Sequence, residues 1–159
     1  MRQTIRTTLA SLILLLSLAA PAAAAQFEEG ADAYEREDYT TALHIWHQLA
    51  DQGEAAAMYG LADMYENVRE IKNMEEAVRW FRMAAEQNHA TSQNNLGRMY
   101  ASGFGVSQNP AQAARWFRMA AEQGHAGARN YLRLLCLPAQ GRYTLPSSCN
   151  GGLGTPNPN

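Results

Sequence analysis

Residues 79–90 read RWFRMAAEQNHA, and residues 115–126 read RWFRMAAEQGHA. The two segments begin 36 positions apart and differ at one position, where Asn88 corresponds to Gly124. Within each segment the apolar residues recur at intervals of three and four, which predicts one apolar stripe along an α-helix. Self-similarity at this period is typical of repeat arrays, in which each unit buries its apolar face against its neighbours.

The repeated unit extends beyond these two segments. Leu61 and Tyr65 recur as Leu96 and Tyr100, and a looser first copy begins at Phe27. Because each half of the unit has helical spacing and nothing alternates with period two, the sequence predicts an all-α fold. We expect three helix pairs: 27–36 with 39–51, 56–67 with 73–87, and 91–102 with 109–123.

Residues at the predicted helix ends agree with this division. Asn109 before Pro110 indicates an N-cap with proline at the first helical position, and Asn73 with Glu76 indicates a capping box. A residue that tolerates the left-handed conformation should end the second helix of each repeat. These residues are Gly53, Asn88 and Gly124.

Three other features are predicted to shape the packing. Small residues should let helices approach closely at one equivalent position of each repeat, namely Ala31, Ala62 and Gly97. The tryptophans on the apolar stripes should pack in the core, namely Trp46, Trp80 and Trp116. A seventh helix near 127–137 places Arg133 where the earlier units are small, so we expect it to be the cap that ends the array.

The first 25 residues have the order of a secretory signal peptide. Arg2 and Arg6 precede an apolar run over residues 9–20, and a small-residue cleavage site ends at Ala25. The alternative is a retained membrane anchor, for which this run falls short of the roughly 20 residues that a spanning helix needs. We therefore expect a periplasmic or secreted protein with no stable membrane insertion.

After cleavage the chain divides into a repeat domain and a tail. The domain should span 26–137, with repeats at about 27–54, 55–89 and 90–125 and a cap at 126–137. The tail, 138–159, is rich in Gly, Pro, Asn and Ser, which predicts that it is mostly disordered. An even number of cysteines in an exported chain favours a Cys136–Cys149 disulfide over two unpaired thiols.

The charge of the processed chain argues against one class of partner. Without the two N-terminal arginines, 11 basic residues remain against 15 acidic residues. Nucleic-acid binding requires a basic surface, so we expect no nucleic-acid partner.

The motifs of the third copy resemble those of the Sel-one-like repeat family, relatives of the tetratricopeptide repeats. The resemblance rests on LGRMY at residues 96–100, GFGV at 103–106, and Trp116-Phe117 followed by AAEQG at 120–124. It covers about Phe27 to Leu137 and implies a right-handed α-solenoid of helix pairs whose first helices line a concave face. Family members mostly act as adaptors that hold proteins or peptides.

No cluster in the sequence indicates catalysis, a metal or a cofactor. His44 and His47 lie three apart on one helix, but zinc needs at least a third ligand. His89 and His125 occupy equivalent turn positions, which indicates a structural role in the repeat. A cysteine-rich branch of the family has been linked to β-lactam binding, and its cysteine pair in each repeat is missing here.

We therefore expect an exported interaction module, an adaptor or scaffold for a protein or peptide in the cell envelope. Two alternatives stay open: a β-lactam- or cell-wall-directed hydrolase or binding protein, and a structural spacer in an envelope assembly. The residues expected to face the groove lie off the apolar stripes of the first helices. They are Asp32, Glu35, Tyr59, Asp63, Glu66, Asn94 and Arg98.

Overall fold

A computed structural model describes residues 22–136, apart from the side chains of the last two residues. Seven α-helices and no strand occur in this part of the chain, which confirms the all-α prediction. The helices are α1 over residues 22–35, α2 Tyr39–Asp51, α3 Ala55–Asn67, α4 Met74–Glu86, α5 Ala90–Ser102, α6 Pro110–Glu122 and α7 Ala126–Cys136. The apolar leader over residues 9–20, the Cys136–Cys149 bridge and the tail 138–159 lie outside the described residues.

Helix α1 already includes residue 22, so it runs through the predicted cleavage point after Ala25. Cleavage at this point stays a prediction. None of the helices in the described range is long and apolar enough to cross a membrane.

Helix ends follow the sequence prediction closely. The Oδ1 atom of Asn109 accepts a hydrogen bond from the Gln112 N–H at 3.0 Å, and Asn73 accepts from the Glu76 N–H at 3.1 Å. Left-handed residues end the second helices, with φ of +91° at Gly53, +68° at Asn88 and +91° at Gly124.

The reciprocal half of the predicted capping box at Asn73 is wrong. The Asn73 N–H instead donates to the Tyr65 carbonyl at 2.8 Å, across the loop that joins α3 to α4. The Glu76 carboxylate accepts from Arg79 at 2.7 Å. The Asn73 N–H does not need the Glu76 carboxylate, because the Tyr65 carbonyl already accepts its hydrogen bond.

The loops between first and second helices close in the same way despite different sequences. The Asn109 N–H donates to the Tyr100 carbonyl at 2.8 Å, which repeats the Asn73–Tyr65 bond. The later loop uses left-handed glycines, with φ of +76° at Gly103 and +66° at Gly105. The earlier loop contains no glycine and instead forms a 3-10 turn, Arg69–Ile71.

The chain divides into two compact units, and the first ends at Ala57. Its core forms around Trp46, which is 4% exposed and donates from Nε1 to the Phe27 carbonyl at 3.4 Å. A Cβ atom added to Gly30 would lie 2.5 Å from this Nε1 atom. The small residue that admits the second helix is therefore Gly30 and not Ala31 as predicted, because the indole ring of Trp46 lies directly over Gly30.

The second unit begins at Met58 and holds the two repeats that opened the sequence. Phe81 and Phe117 are fully buried, together with Leu61 and Leu96 of the first helices. Gly97 allows α5 and α6 to approach, because a Cβ atom there would lie 2.8 Å from the Phe117 ring. Helix α7 packs on α6 through Ala128 and Leu132, and its role as a cap stays a prediction.

One predicted core tryptophan is only half-buried. Trp46 and Trp80 are buried, whereas Trp116 retains partial exposure. Helix α6 is the last second helix in the described range, so no following second helix covers Trp116. The fully buried aromatic residue of this repeat is Phe117.

Candidate functional site

Three of the predicted groove residues lie along one side of α3. Tyr59, Asp63 and Glu66 are each partly buried and follow one another at intervals of four and three. The Tyr59 ring contacts the rings of His89 at 5.3 Å and Phe81 at 5.9 Å between centroids. Burial, followed by the carboxylates of Asp63 and Glu66, raises the pKa of Tyr59. Its hydroxyl therefore stays protonated and can donate a hydrogen bond.

An ion pair joins α3 to α5 within this face. The Glu66 Oε1 atom lies 2.6 Å from the Arg98 Nη2 atom, and their side chains are 12% and 32% exposed. Partial burial and the short distance make this pair stronger than an ordinary surface pair. The pair links α3 to α5 and so helps to fix the spacing of the two helices. Because Glu66 neutralises the charge of Arg98, this guanidinium is not a free cation for an anionic ligand.

Asn94 on α5 is more deeply buried than the sequence prediction implied. It is 9% exposed, and its Nδ2 atom donates to the Asn95 Oδ1 atom at 3.4 Å. Its own Oδ1 atom is buried and has no hydrogen-bond partner among the described residues. This atom lies 3.8 Å from the position that a Cβ atom would occupy at Gly127. A buried carbonyl without a donor is unfavourable and requires an explanation.

Sequence reasoning missed a polar network that links the two repeats of the second unit. Gln93 is fully buried, and its Nε2 atom donates to the Ala85 carbonyl at 3.1 Å and to Asn88 at 3.2 Å. Its Oε1 atom accepts from the Gln123 side chain at 2.8 Å. One feature of the sequence could have revealed this network. Gln93 occupies the position of the repeat at which α3 has the apolar residue Met58. A buried, fully bonded amide at that position fixes the register of neighbouring repeats.

The repeated histidines are helix caps. The His89 Nδ1 atom accepts from the Ser92 N–H at 3.3 Å, and the His125 Nδ1 atom accepts from the Ala128 N–H at 3.2 Å. Burial lowers the pKa of His89, which favours the neutral imidazole that can accept this bond. These positions therefore have the structural role that their repetition indicated.

The remaining predicted residues lie in the first unit. Asp32 and Glu35 are exposed on α1, and His44 is exposed on α2. Across residues 22–136, no group of three or more His, Cys, Asp or Glu side chains is arranged to hold a metal ion.

The ion pair between α3 and α5 can be tested by unfolding. We expect Glu66→Gln to lower the free energy of unfolding by about 1–2 kcal/mol, because the partly buried Arg98 loses its partner. Glu76→Gln is the matched control, since Glu76 pairs at 2.7 Å with an Arg79 side chain that is 62% exposed. The control should change stability by about 0.5 kcal/mol or less. Urea unfolding of both variants measures the difference, and equal losses would contradict a special role for the Glu66–Arg98 pair.

Comparison with known proteins gives a consistent result. The Sel1 repeat model matches residues 23–54, 55–89 and 90–125. A Sel1 repeat protein from Oxalobacter formigenes is 34% identical with a TM-score of 0.65, over 69% of this chain and 46% of that protein. The protective antigen c5321 of uropathogenic Escherichia coli, which displays an SLR fold, is 33% identical with a TM-score of 0.66, over 74% of this chain and 27% of that protein.

A third solved structure agrees in fold alone. Helicobacter pylori cysteine rich protein B is 23% identical with a TM-score of 0.56, over 58% of this chain and 71% of that protein. No curated protein matches the chain. The chain spans less than half the length of each of the first two structures that it matches. From its three matched repeats and these neighbours, the chain belongs to the Sel1 repeat family, whose members generally mediate protein–protein interactions.

Proposed function

We propose that this protein is an exported, non-enzymatic adaptor that binds a peptide or protein segment in the cell envelope. The binding surface is the face of the first helices, which in the second unit comprises Tyr59, Asp63, Glu66, Asn94 and Arg98. Asp32 and Glu35 are exposed on α1 in the first unit. The order of charged, apolar and small residues before Gln26 supports export to the periplasm or beyond.

The observation that carries this proposal is the half-buried, protonated Tyr59 hydroxyl beside Asp63 and Glu66 on one side of α3. Asn94 corresponds to Tyr59 in the preceding repeat, so the two polar groups recur at one position of successive first helices. An extended peptide offers backbone N–H donors and carbonyl acceptors in alternation. The half-buried Tyr59 hydroxyl stays protonated and can donate to such a carbonyl. The Asn94 amide can accept from an N–H only after its side chain turns outward, because its Oδ1 atom is buried.

The charge of this face favours a neutral or basic segment. Asp63 and Glu66 contribute two carboxylates, and Arg98 neutralises one of them through the ion pair with Glu66. We expect acidic peptides to bind more weakly than basic peptides of the same length, with a difference that falls as salt rises.

The proposal is tested with the double variant Tyr59→Ala/Asn94→Ala. Purified chain immobilised at equal density is exposed to envelope extract, and captured proteins are identified by mass spectrometry. We expect capture of the specific partner to fall by at least about tenfold, since two central polar contacts are removed. The matched control, Arg79→Ala/Arg115→Ala, changes exposed side chains of the second helices and should leave capture unchanged.

Circular dichroism must show equal helicity for all three proteins. Equal capture by the double variant and the unmodified chain would contradict the proposed surface. Turnover of a chromogenic β-lactam would support the hydrolase instead. Loss of an envelope assembly on deletion of the protein, with no captured segment, would support the spacer.

A further inference from the structure

Two exposed arginines lie on one side of α7. Arg129 and Arg133 are four residues apart, so their side chains lie about one helical turn apart. Leu134 follows Arg133 and is 62% exposed. Helix α7 contains no acidic residue, and neither arginine forms an ion pair with any other described residue. The Arg129 guanidinium donates to the Gly124 carbonyl at 3.4 Å, so its positive charge is not neutralised.

The same two positions are buried in the preceding first helix. In α5 they are Gln93 and Gly97, and Gly97 admits the Phe117 ring of the helix that follows it. In α7 both positions carry a long cationic side chain that is exposed. The side of α7 that corresponds to a helix contact in α5 therefore presents two cations with an exposed leucine beside them.

Helix α1 has the complementary charge. It contains four acidic residues and no Lys or Arg, which makes it the most acidic helix in the described range. Glu28 and Asp32 are exposed and four residues apart, and Glu35 is exposed about one turn further along the same side. None of these three carboxylates forms an ion pair within residues 22–136. The row is therefore available to a cationic surface.

We propose that α7 of one copy of this protein docks on α1 of a second copy, with the two arginines paired to Glu28 and Asp32. Both pairs of charges span four residues, or about 6 Å along a helix axis, so helices that lie side by side form two ion pairs at once. Ala31 lies between the two acids and is partly exposed. Its methyl group leaves room for Leu134 of the other copy to approach.

Charge favours this contact between unlike helices over contacts between like helices. Two α7 helices would oppose only guanidinium groups, and two α1 helices would oppose only carboxylates, so both arrangements are repulsive. Because every copy has one α1 and one α7, the unlike contact can be repeated from copy to copy. Exposed ion pairs are individually weak, so we expect association between about 10 µM and about 1 mM protein.

Charge reversal tests the contact by sedimentation velocity. The protein is expressed with its own leader and purified as the cells process it. Association should rise with protein concentration and weaken between about 50 mM and about 500 mM salt. Arg129→Glu/Arg133→Glu and Glu28→Arg/Asp32→Arg should each lower the association constant at least about tenfold, since each opposes like charges.

The matched control is Arg79→Glu/Arg115→Glu, which reverses two exposed arginines of the second helices. It makes the same change in net charge as the α7 variant and should associate as the unmodified protein does. An equal mixture of the α1 and α7 variants should regain association, because each reversed helix meets one of opposite charge. Circular dichroism must show equal helicity for all the proteins.

Photo-crosslinking locates the contact independently of the charge variants. Benzoylphenylalanine replaces Leu134, and ¹⁴N- and ¹⁵N-labelled proteins are mixed in equal amounts before irradiation. We expect crosslinks from position 134 to α1 of the other isotopic protein. Crosslinks to α1 within one isotopic protein only, or to α7 of another copy, would overturn the proposal.

Three sedimentation results would also overturn it. They are a monomer at every concentration, equal association by the unmodified protein and a reversal variant of α1 or α7, and a mixture of the two variants that stays dissociated. Loss of association in the control would attribute the effect to net charge and overturn the proposal as well. No other protein is present in these experiments, so their result is independent of the proposed adaptor function.

Discussion

Phe117→Ala is expected to lower the free energy of unfolding by about 3–5 kcal/mol. Phe117 is fully buried, lies against Gly97 of α5 and stacks on Tyr131 of α7. Its removal therefore opens a cavity among three helices at once. A domain of this size has a total stability of about 5–15 kcal/mol, so the loss is a large part of the whole. Urea unfolding followed by circular dichroism measures it.

Trp116→Ala is the matched comparison, in the adjacent residue of the same helix. Trp116 is the larger side chain, but it is only half-buried. Its replacement should lower the free energy of unfolding by about 1–2 kcal/mol, in proportion to the apolar area that it buries. A larger loss for Trp116→Ala than for Phe117→Ala would contradict the described core.

Gly105→Ala is expected to lower the free energy of unfolding by about 3 kcal/mol, from two causes. Gly105 has φ of +66°, a conformation that is unfavourable for alanine. An added Cβ atom would also overlap the Met74 carbonyl oxygen at the start of α4. This oxygen belongs to the backbone, so the overlap is relieved only by moving the loop or the helix.

Gly124→Ala separates the two causes. Gly124 also has a positive φ, +91°, but a Cβ atom there would meet nothing within 4 Å. This variant should lose only about 1 kcal/mol, from backbone strain alone. Thermal unfolding of both variants gives the difference. Equal losses would show that the contact between the Gly105 loop and α4 is unimportant for stability.

Local sequence patterns predicted the helices well because each helix end depends on nearby residues. Asn109 caps its own helix through Gln112, three residues on, and Asn88 adopts the left-handed conformation that Gly124 adopts. Residues 79–90 and 115–126 are also nearly identical, so the same helix bounds could be read from two copies of one pattern. Predicted and described helix ends therefore agree within one or two residues from α2 onward.

Contacts between helices were predicted less well, since helical periodicity does not specify which residues meet. Glu66 and Arg98 were predicted as separate groove residues, and they form an ion pair across 32 positions of sequence. Asn94 was predicted to face the groove, and it is almost fully buried. The choice of Gly30 over Ala31 beneath Trp46 likewise depends on the position of one ring. The residue types predicted which positions are polar. Helix packing determines which of these side chains pair with each other and which are buried.

The first helices of the second unit and helix α7 expose different kinds of side chain. The face of α3 and α5 is polar and contains the Glu66–Arg98 ion pair. Helix α7 instead exposes Tyr131 and Leu134.

Photo-crosslinking from position 63 in living cells tests the central claim, recognition by the first helices, most directly. Asp63 lies between Tyr59 and Glu66 on α3, and position 79 on the exposed side of α4 is the control. We expect benzoylphenylalanine at position 63 to crosslink one discrete envelope protein, and the probe at position 79 to crosslink none above background. Crosslinks of equal yield to the same protein from both positions, or from position 79 alone, would contradict recognition by the first-helix face.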